Sequence, residues 1–127
     1  MSKRPAAAKS ELEVARIVWS LGRASVRQVL DALPADRQLD FKTVQTYLRR
    51  LEAKGYLGTR REGRAKIYFP RVRPAQVVGE VVEDFLQRLF GGESIPLFQH
   101  LIHDRGLTES EIDRLRNMLD EWEKPKS

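Results

Sequence analysis

The hydrophobic period in the first half of this chain changes immediately after Gly55, and this change restricts the folds that this half can adopt. Before Gly55, apolar residues recur at helical spacing in three short segments with brief connections. After it, β-branched and aromatic runs at 56–60 and 65–69 flank Glu62-Gly63 and predict a β-hairpin. Three helices followed by a hairpin predict a winged helix-turn-helix, a mainly α fold with a small β wing.

Capping residues indicate where the helices begin. The patterns Ser10–Glu13 and Ser25–Gln28 are capping boxes, in which the serine hydroxyl and the third side chain satisfy each other's backbone amides. Asp40 is the predicted cap of a third helix, expected from about Phe41 to Lys54 and ended by Gly55. These caps predict three separate short helices in the first half of the chain.

The hairpin is expected to pack one face and expose the other. Strand alternation predicts that Ile67 and Phe69 point inward and that Lys66 and Tyr68 point outward. A basic hairpin directly after a third helix is the wing of a winged-helix domain, and its predicted DNA contacts are Arg61, Arg64 and Lys66.

The charge distribution divides the chain at about the same place as the fold pattern. Residues 1–74 contain 17 Lys and Arg against 7 Asp and Glu, whereas residues 75–127 contain 6 against 11. This asymmetry indicates that the first part meets a polyanion, although an uneven solvated surface is the alternative. The start of the chain, residues 1–9, is expected to be disordered, with cations able to reach phosphates at Lys3, Arg4 and Lys9.

The third helix carries the candidate DNA-reading surface. With Val44, Leu48 and Leu51 on its buried face, the opposite face and its flanks carry Lys42, Thr43, Gln45, Thr46, Arg49 and Arg50. Arginine pairs with guanine, glutamine with adenine, and a threonine methyl contacts the thymine methyl. A polar face turned to water is the alternative, but exposed helix faces without acids are unusual, and this one has only Glu52 near its end.

The C-terminal part is predicted to be helical and to form a dimer. Apolar residues recur at helical spacing after Pro74 until Gly91-Gly92, and a capping box at Thr108–Glu111 begins a last helix. About 50 residues make a poor independent core. We therefore predict a winged-helix domain at 1–74 and a helical dimerisation region at 75–127, paired through Val78, Val81, Val82, Phe85, Leu89, Leu115, Leu119 and Trp122. Folding back onto the same chain stays open.

Several classes of function are disfavoured. The chain has no cysteine, which excludes disulfides, thiolate metal sites and cysteine nucleophiles. His100, His103 and Asp104 are too few ligands to predict a metal site. No phosphate loop or nucleophile motif is present, so neither enzymatic activity nor a cofactor is expected. No signal peptide or apolar run of membrane length occurs, so we expect a soluble, cytoplasmic protein without membrane insertion.

The sequence resembles the penicillinase repressor (BlaI/MecI-like) family. The resemblance covers nearly the whole chain and is carried by Leu12 to Trp19, Ser25–Val29, Lys42–Thr46, Arg50-Leu51, Lys54-Gly55, Glu62–Ala65 and Tyr68. It implies a homodimeric repressor that binds a palindromic double-stranded operator and pairs through its helical C-terminal part. By position, it implies DNA contacts at Lys42, Thr43, Gln45, Thr46, Arg50 and Arg64.

Two departures from the family pattern restrict what the resemblance implies. Copper-responsive relatives end in cysteine pairs, which this chain lacks. Antibiotic-responsive relatives are inactivated by proteolysis in the dimerisation region, commonly at an Asn-Phe bond, whereas the matching position here is His100-Leu101. The inducing signal, a regulatory protease or sensor, the operator sequence and the regulated genes stay open. So do three alternatives: a ligand-sensing winged-helix regulator, a non-specific architectural DNA-binding protein, and a winged helix used only for protein contact.

Overall fold

Six α-helices and one antiparallel hairpin make up the structure, a computed structural model that describes residues 4–125. Their bounds are α1 Lys9–Leu21, α2 Val26–Asp31, α3 Phe41–Ala53, β1 Leu57–Glu62, β2 Ala65–Pro70, α4 Pro74–Phe90, α5 Ile95–Gln99 and α6 Glu109–Glu123, with a π-helical segment at His100–Arg105. The predicted fold class, mainly helical with a small hairpin, is confirmed. None of the helices within 4–125 is long and apolar enough to cross a membrane.

The chain divides into two units, one that ends at Gly79 and one that begins at Glu80. This division lies five residues beyond the predicted limit at residue 74. The reason is that Val77, in the first turn of α4, is only 1% exposed and belongs to the core of the first unit.

The core of the first unit lies between the helices and the hairpin. Val44, Leu48 and Leu51 of α3 are fully buried, which confirms the predicted inner face of the third helix. They pack in one cluster with apolar residues of α1, α2 and both strands. Burial of these large aliphatic side chains holds α3 firmly enough for its opposite face to act as a rigid surface.

Helix α1 begins differently from the prediction. Its cap is Ala8 rather than Ser10, and the Ala8 N–H donates to the Glu11 carboxylate at 3.0 Å. The predicted disorder before α1 is wrong for residues 4–8, because Tyr56 Oη donates to the Pro5 carbonyl at 2.8 Å. Lys3 lies outside the described residues. Pro5 is therefore tied to Tyr56, in the segment that follows α3.

The predicted N-caps of α2, α3 and α6 are confirmed. Ser25 and Gln28 form the expected box, in which the Gln28 N–H donates to the serine hydroxyl at 3.2 Å and the Ser25 N–H to the glutamine side chain at 2.9 Å. Asp40 caps α3, and Thr108 forms a box with Glu111 at the start of α6.

The hairpin differs from the prediction in its turn and in its inward side chains. Its two-residue turn is Gly63-Arg64, and the φ of +63° at Gly63 suits the first position of a type II′ turn. Tyr68 was predicted to face outward but is 1% exposed, because β2 forms a bridge with Ala24. The Ala24 N–H donates to the Tyr68 carbonyl at 2.9 Å, and the reverse bond is 2.8 Å. Phe69, predicted inward, is half-buried, and Ile67 is buried as predicted.

The second unit contains α5, the π-helical segment, α6 and the part of α4 that follows Gly79. From residue 80 to residue 125, every side chain is half-buried or exposed. This unit therefore has amphipathic helices without a buried core of its own.

Candidate nucleic-acid interface

The start of α3 is held by its cap. The Asp40 carboxylate accepts the Thr43 N–H at 2.7 Å. Hydrogen bonds from the side chain and the backbone of Thr43 hold the pKa of Asp40 below its ordinary value, with a smaller contribution from the charge of Lys42. The first turn of α3, where a recognition helix enters the major groove, is thus in a defined conformation.

Six predicted contact residues lie on α3 away from the core. Lys42, Arg49 and Arg50 are exposed, and Thr43, Gln45 and Thr46 are half-buried. We call these six residues the recognition face. The Thr46 hydroxyl donates to the Lys42 carbonyl at 3.0 Å, so its proton is already used within the helix.

The predicted contacts of the hairpin occupy different environments. Arg61 and Arg64 are exposed near the turn. Lys66 is half-buried, and its ammonium lies 3.2 Å from a carboxylate oxygen of Glu52 and 5.3 Å from the ring centroid of Tyr68. Burial alone would lower the pKa of Lys66, but the hydrogen bond to Glu52 and the interactions with Tyr68 outweigh burial and raise it.

Glu52 has contacts with both strands. Its second carboxylate oxygen accepts the Thr59 hydroxyl at 2.8 Å. Burial alone would raise the pKa of the Glu52 carboxyl, but hydrogen bonds from Thr59 and Lys66 and the charge of Lys66 lower it. Glu52 is therefore ionised at neutral pH, although it lies between the recognition face and the hairpin.

Two further arginines lie near this surface and were not among the predicted contacts. The guanidinium carbon of Arg27 in α2 lies 5.4 Å from the ring centroid of Phe41, the first residue of α3. Arg23, between α1 and α2, forms an ion pair with Glu62 at the end of β1. The helix-turn-helix spacing is the sequence signal for Arg27, because the first turn of α2 approaches the start of α3 in that motif.

The predicted dimerisation residues are mostly exposed. Phe85 and Trp122 are 43% and 81% exposed, and Leu115 is half-buried. Val78 is also exposed but precedes the boundary at Gly79. The remaining predicted dimerisation residues all belong to the second unit and are exposed: Val81, Val82, Leu89 and Leu119. Large exposed apolar residues of this kind are typical of sites that bind another protein, a membrane or a ligand.

The histidine cluster considered from the sequence forms a local contact. His100 Nδ1 lies 2.8 Å from an oxygen of Asp104, one helical turn away in the π-helical segment. Within residues 4–125, no group of three or more His, Cys, Asp or Glu side chains is arranged to hold a metal ion.

Comparison with known proteins identifies relatives over nearly the whole chain. A family model described as "Penicillinase repressor" matches residues 7–121. The penicillinase repressor of Bacillus licheniformis is 29% identical over 121 residues, 95% of this chain and 94% of that protein. The methicillin resistance regulatory protein MecI of Mammaliicoccus sciuri is 24% identical over 110 residues, 87% of this chain and 89% of that protein.

A solved structure has the same fold as the first unit. It is the Bacillus licheniformis BlaI monomeric form in complex with the blaP half-operator. It is 33% identical, covers 59% of this chain and 92% of its own, and superposes with a TM-score of 0.50.

Proposed function

This chain belongs to the penicillinase repressor family, and we propose that it is a sequence-specific DNA-binding transcriptional repressor. It acts in the cytoplasm as a homodimer on a palindromic operator. The observation that carries the proposal is the recognition face, which is backed by three fully buried residues of the same helix. A related chain with this fold binds a half-operator, which supports the same use of the surface here.

In the proposed complex, α3 lies in the major groove. Arg49 and Arg50 have the side chain that pairs bidentately with guanine, and Gln45 has the one that pairs with adenine. The Thr46 methyl suits the thymine methyl, since its hydroxyl is already bonded to the helix backbone. Lys42, in the first turn, reaches either a base edge or a phosphate.

The wing, formed by β1 and β2, adds contacts to the flanking DNA backbone. Arg61 and Arg64 are both exposed; Arg64 lies in the turn, and Arg61 lies in β1 close to it. Arginines in such positions neutralise phosphates and orient the protein on the duplex without reading sequence. Together with Lys42, Arg49 and Arg50 of the recognition face, they supply five of the 17 cations in residues 1–74.

The second unit pairs two copies. Its exposed apolar residues include Val81, Val82, Phe85 and Trp122. A cleft of about 280 Å³ in the same unit is lined mainly by further apolar residues, together with Glu111 and Arg114. A second copy covers these surfaces most simply, since each copy supplies the same patch in a symmetric dimer. Two-fold symmetry then places two α3 helices in major grooves about 34 Å apart, or a multiple of that distance.

The test is the salt dependence of binding between the full chain and a labelled mixed-sequence duplex, followed by fluorescence anisotropy. We expect the logarithm of the binding constant to fall linearly with the logarithm of salt concentration, because cations displace counterions from phosphates. Absence of salt-dependent binding would assign the winged helix to protein contacts instead.

A further inference from the structure

We propose that Glu52 is a positioning residue, an anchor that fixes the wing relative to α3. Lys66 is a partner of Glu52 in this anchor and does not contact DNA. The inference rests on the proposed function. Glu52 is the one acidic residue within α3. Its carboxylate uses one oxygen for Thr59 at 2.8 Å and the other for Lys66 at 3.2 Å.

The two partners belong to different strands of the hairpin. Thr59 lies in β1 and pairs across the ladder with Tyr68, and Lys66 lies in β2 and pairs with Arg61. One carboxylate at the end of α3 therefore holds both strands at adjacent pleats. Because residues two apart in a strand share a face, Arg61 follows Thr59 on the face that Glu52 holds. The anchor thereby sets the place at which Arg61 leaves the hairpin.

The ammonium of Lys66 already has interaction partners in this arrangement. Its ammonium has the Glu52 carboxylate as counter-ion and the Tyr68 ring beside it, and its side chain is about 40% exposed. A DNA phosphate at the same ammonium would bring a second anion next to Glu52, which like-charge repulsion opposes. Arg61 and Arg64 are more exposed than Lys66, and Arg64 lies in the turn itself, so these two arginines are the better phosphate ligands of the wing.

The direction in which Glu52→Gln changes DNA affinity distinguishes an anchor from a surface acid that acts only through its charge. If Glu52 acted only through its charge, Glu52→Gln would strengthen DNA binding, because it removes an anion beside a polyanion. If Glu52 positions the wing, the same change weakens binding, because Arg61 and Arg64 are no longer held in a fixed position relative to α3.

The experiment measures the affinity of the full chain for duplex DNA across a salt series. For Glu52→Gln we expect roughly tenfold weaker binding and a salt slope smaller by about one for each phosphate that the wing no longer neutralises. Glu13→Gln is the matched control, since Glu13 is also paired with a cation, Arg37 at 2.8 Å, but lies on α1. We expect its affinity to be unchanged or slightly tighter.

A double-mutant cycle tests whether Glu52 acts through Lys66. Lys66→Met combined with Glu52→Gln should weaken binding no more than the stronger single variant, since both remove the same anchor. Thr59→Val, which removes only the hydroxyl, should weaken binding in the same direction but by a smaller factor. Circular dichroism melts identify any variant that fails to fold, and Thr59→Val then carries the test.

Two results overturn the inference. One is tighter binding by a folded Glu52→Gln variant. The other is a Lys66→Met variant whose salt slope is smaller by about one and whose loss of binding free energy adds fully to that of Glu52→Gln. That result is expected if Lys66 bonds directly to a phosphate. Failure of the unmodified chain to bind any duplex would instead contradict the proposed function itself.

Discussion

The ammonium of Lys54 lies 2.6 Å from a carboxylate oxygen of Glu11, and this ion pair joins the first turn of α1 to the residue that caps the C-terminus of α3. Glu11 is 2% exposed and, among residues 4–79, is the one charged residue that is buried. Lys54 also donates to the Ala6 carbonyl at 3.1 Å. The pair therefore fixes three segments, the start of the described chain, α1 and α3, at one point.

Removing the charge of Glu11 is expected to destabilise the fold. In Glu11→Gln, the Lys54 ammonium loses its counter-ion in a site that is only partly open to water. We expect the free energy of unfolding to fall by about 1–3 kcal/mol, the cost of leaving a partly buried charged group without its partner. Urea denaturation measures the change. Glu13→Gln, which breaks an exposed pair with Arg37, should leave the midpoint nearly unchanged, and equal effects of the two variants would contradict this role of Glu11.

Acid should destabilise the protein through the same carboxyl. Burial alone would raise the pKa of Glu11, but hydrogen bonds from Lys54 and the Ala8 N–H, and the charges of Lys54 and Arg50, hold it below the ordinary value of 4.5. The unfolded chain then binds more protons in acid, so this stability is fully present above about pH 4.5 and is lost as the pH falls through the lowered pKa. We expect thermal midpoints to be level near neutral pH and to fall below pH 4.5, less steeply in Glu11→Gln than in the unmodified chain. Equal slopes in both proteins would remove Glu11 from the explanation.

Alanine variants of two recognition-face residues test whether these side chains read bases or contact phosphates. Arg50→Ala and Lys42→Ala are each expected to cost about 1–3 kcal/mol of binding free energy and to relax specificity at one base position if they read bases. Arg16→Ala, which removes an exposed arginine on α1, is the charge-matched control and should have little effect. Affinity is measured on a set of duplexes with single base changes. Equally weakened binding to every duplex, with a smaller salt slope, would assign the residue to phosphates.

A charge placed on the apolar surface of the second unit should separate the dimer. For Phe85→Asp we expect a dimer dissociation constant about 30-fold higher or more, the effect of removing a buried aromatic anchor worth about 2 kcal/mol. Gln87→Asp introduces the same residue at an exposed polar position of α4 and should leave the constant nearly unchanged. Sedimentation velocity over a concentration series measures both. An unmodified chain that stays monomeric at all concentrations would contradict the proposed pairing.

The recognition helix could be predicted from the sequence because its signals agree. Asp40, the apolar spacing of Val44, Leu48 and Leu51, and the glycine after α3 all specify the same helix. The surroundings of Glu11 could not be predicted, because an acid in a first turn ordinarily indicates a solvated helix start. Only the fold brings Lys54, 43 residues later in the chain, next to it.

The hairpin shows the same limit. Alternation predicts one inward face, but the bridge from Ala24 adds a third segment beside β2 and buries Tyr68. A single bridge between distant residues leaves no periodic signal in the sequence. The ion pair of Lys66 could not be predicted for a similar reason. A lysine in a hairpin gives the same sequence pattern whether its ammonium contacts a phosphate or, as in this structure, lies 3.2 Å from Glu52.

Sequence-specific recognition by a pair of winged helices can be tested by selecting bound duplexes from a random-sequence library with the full chain. We predict enrichment of two inverted copies of one half-site, with centres one helical turn of about 10 base pairs, or a multiple, apart. The enriched duplex should bind at least about 10³-fold more tightly than random DNA at the same salt concentration. A library that is bound without enrichment, so that the specificity ratio is near one, would contradict the proposed function and indicate a non-specific DNA-binding protein.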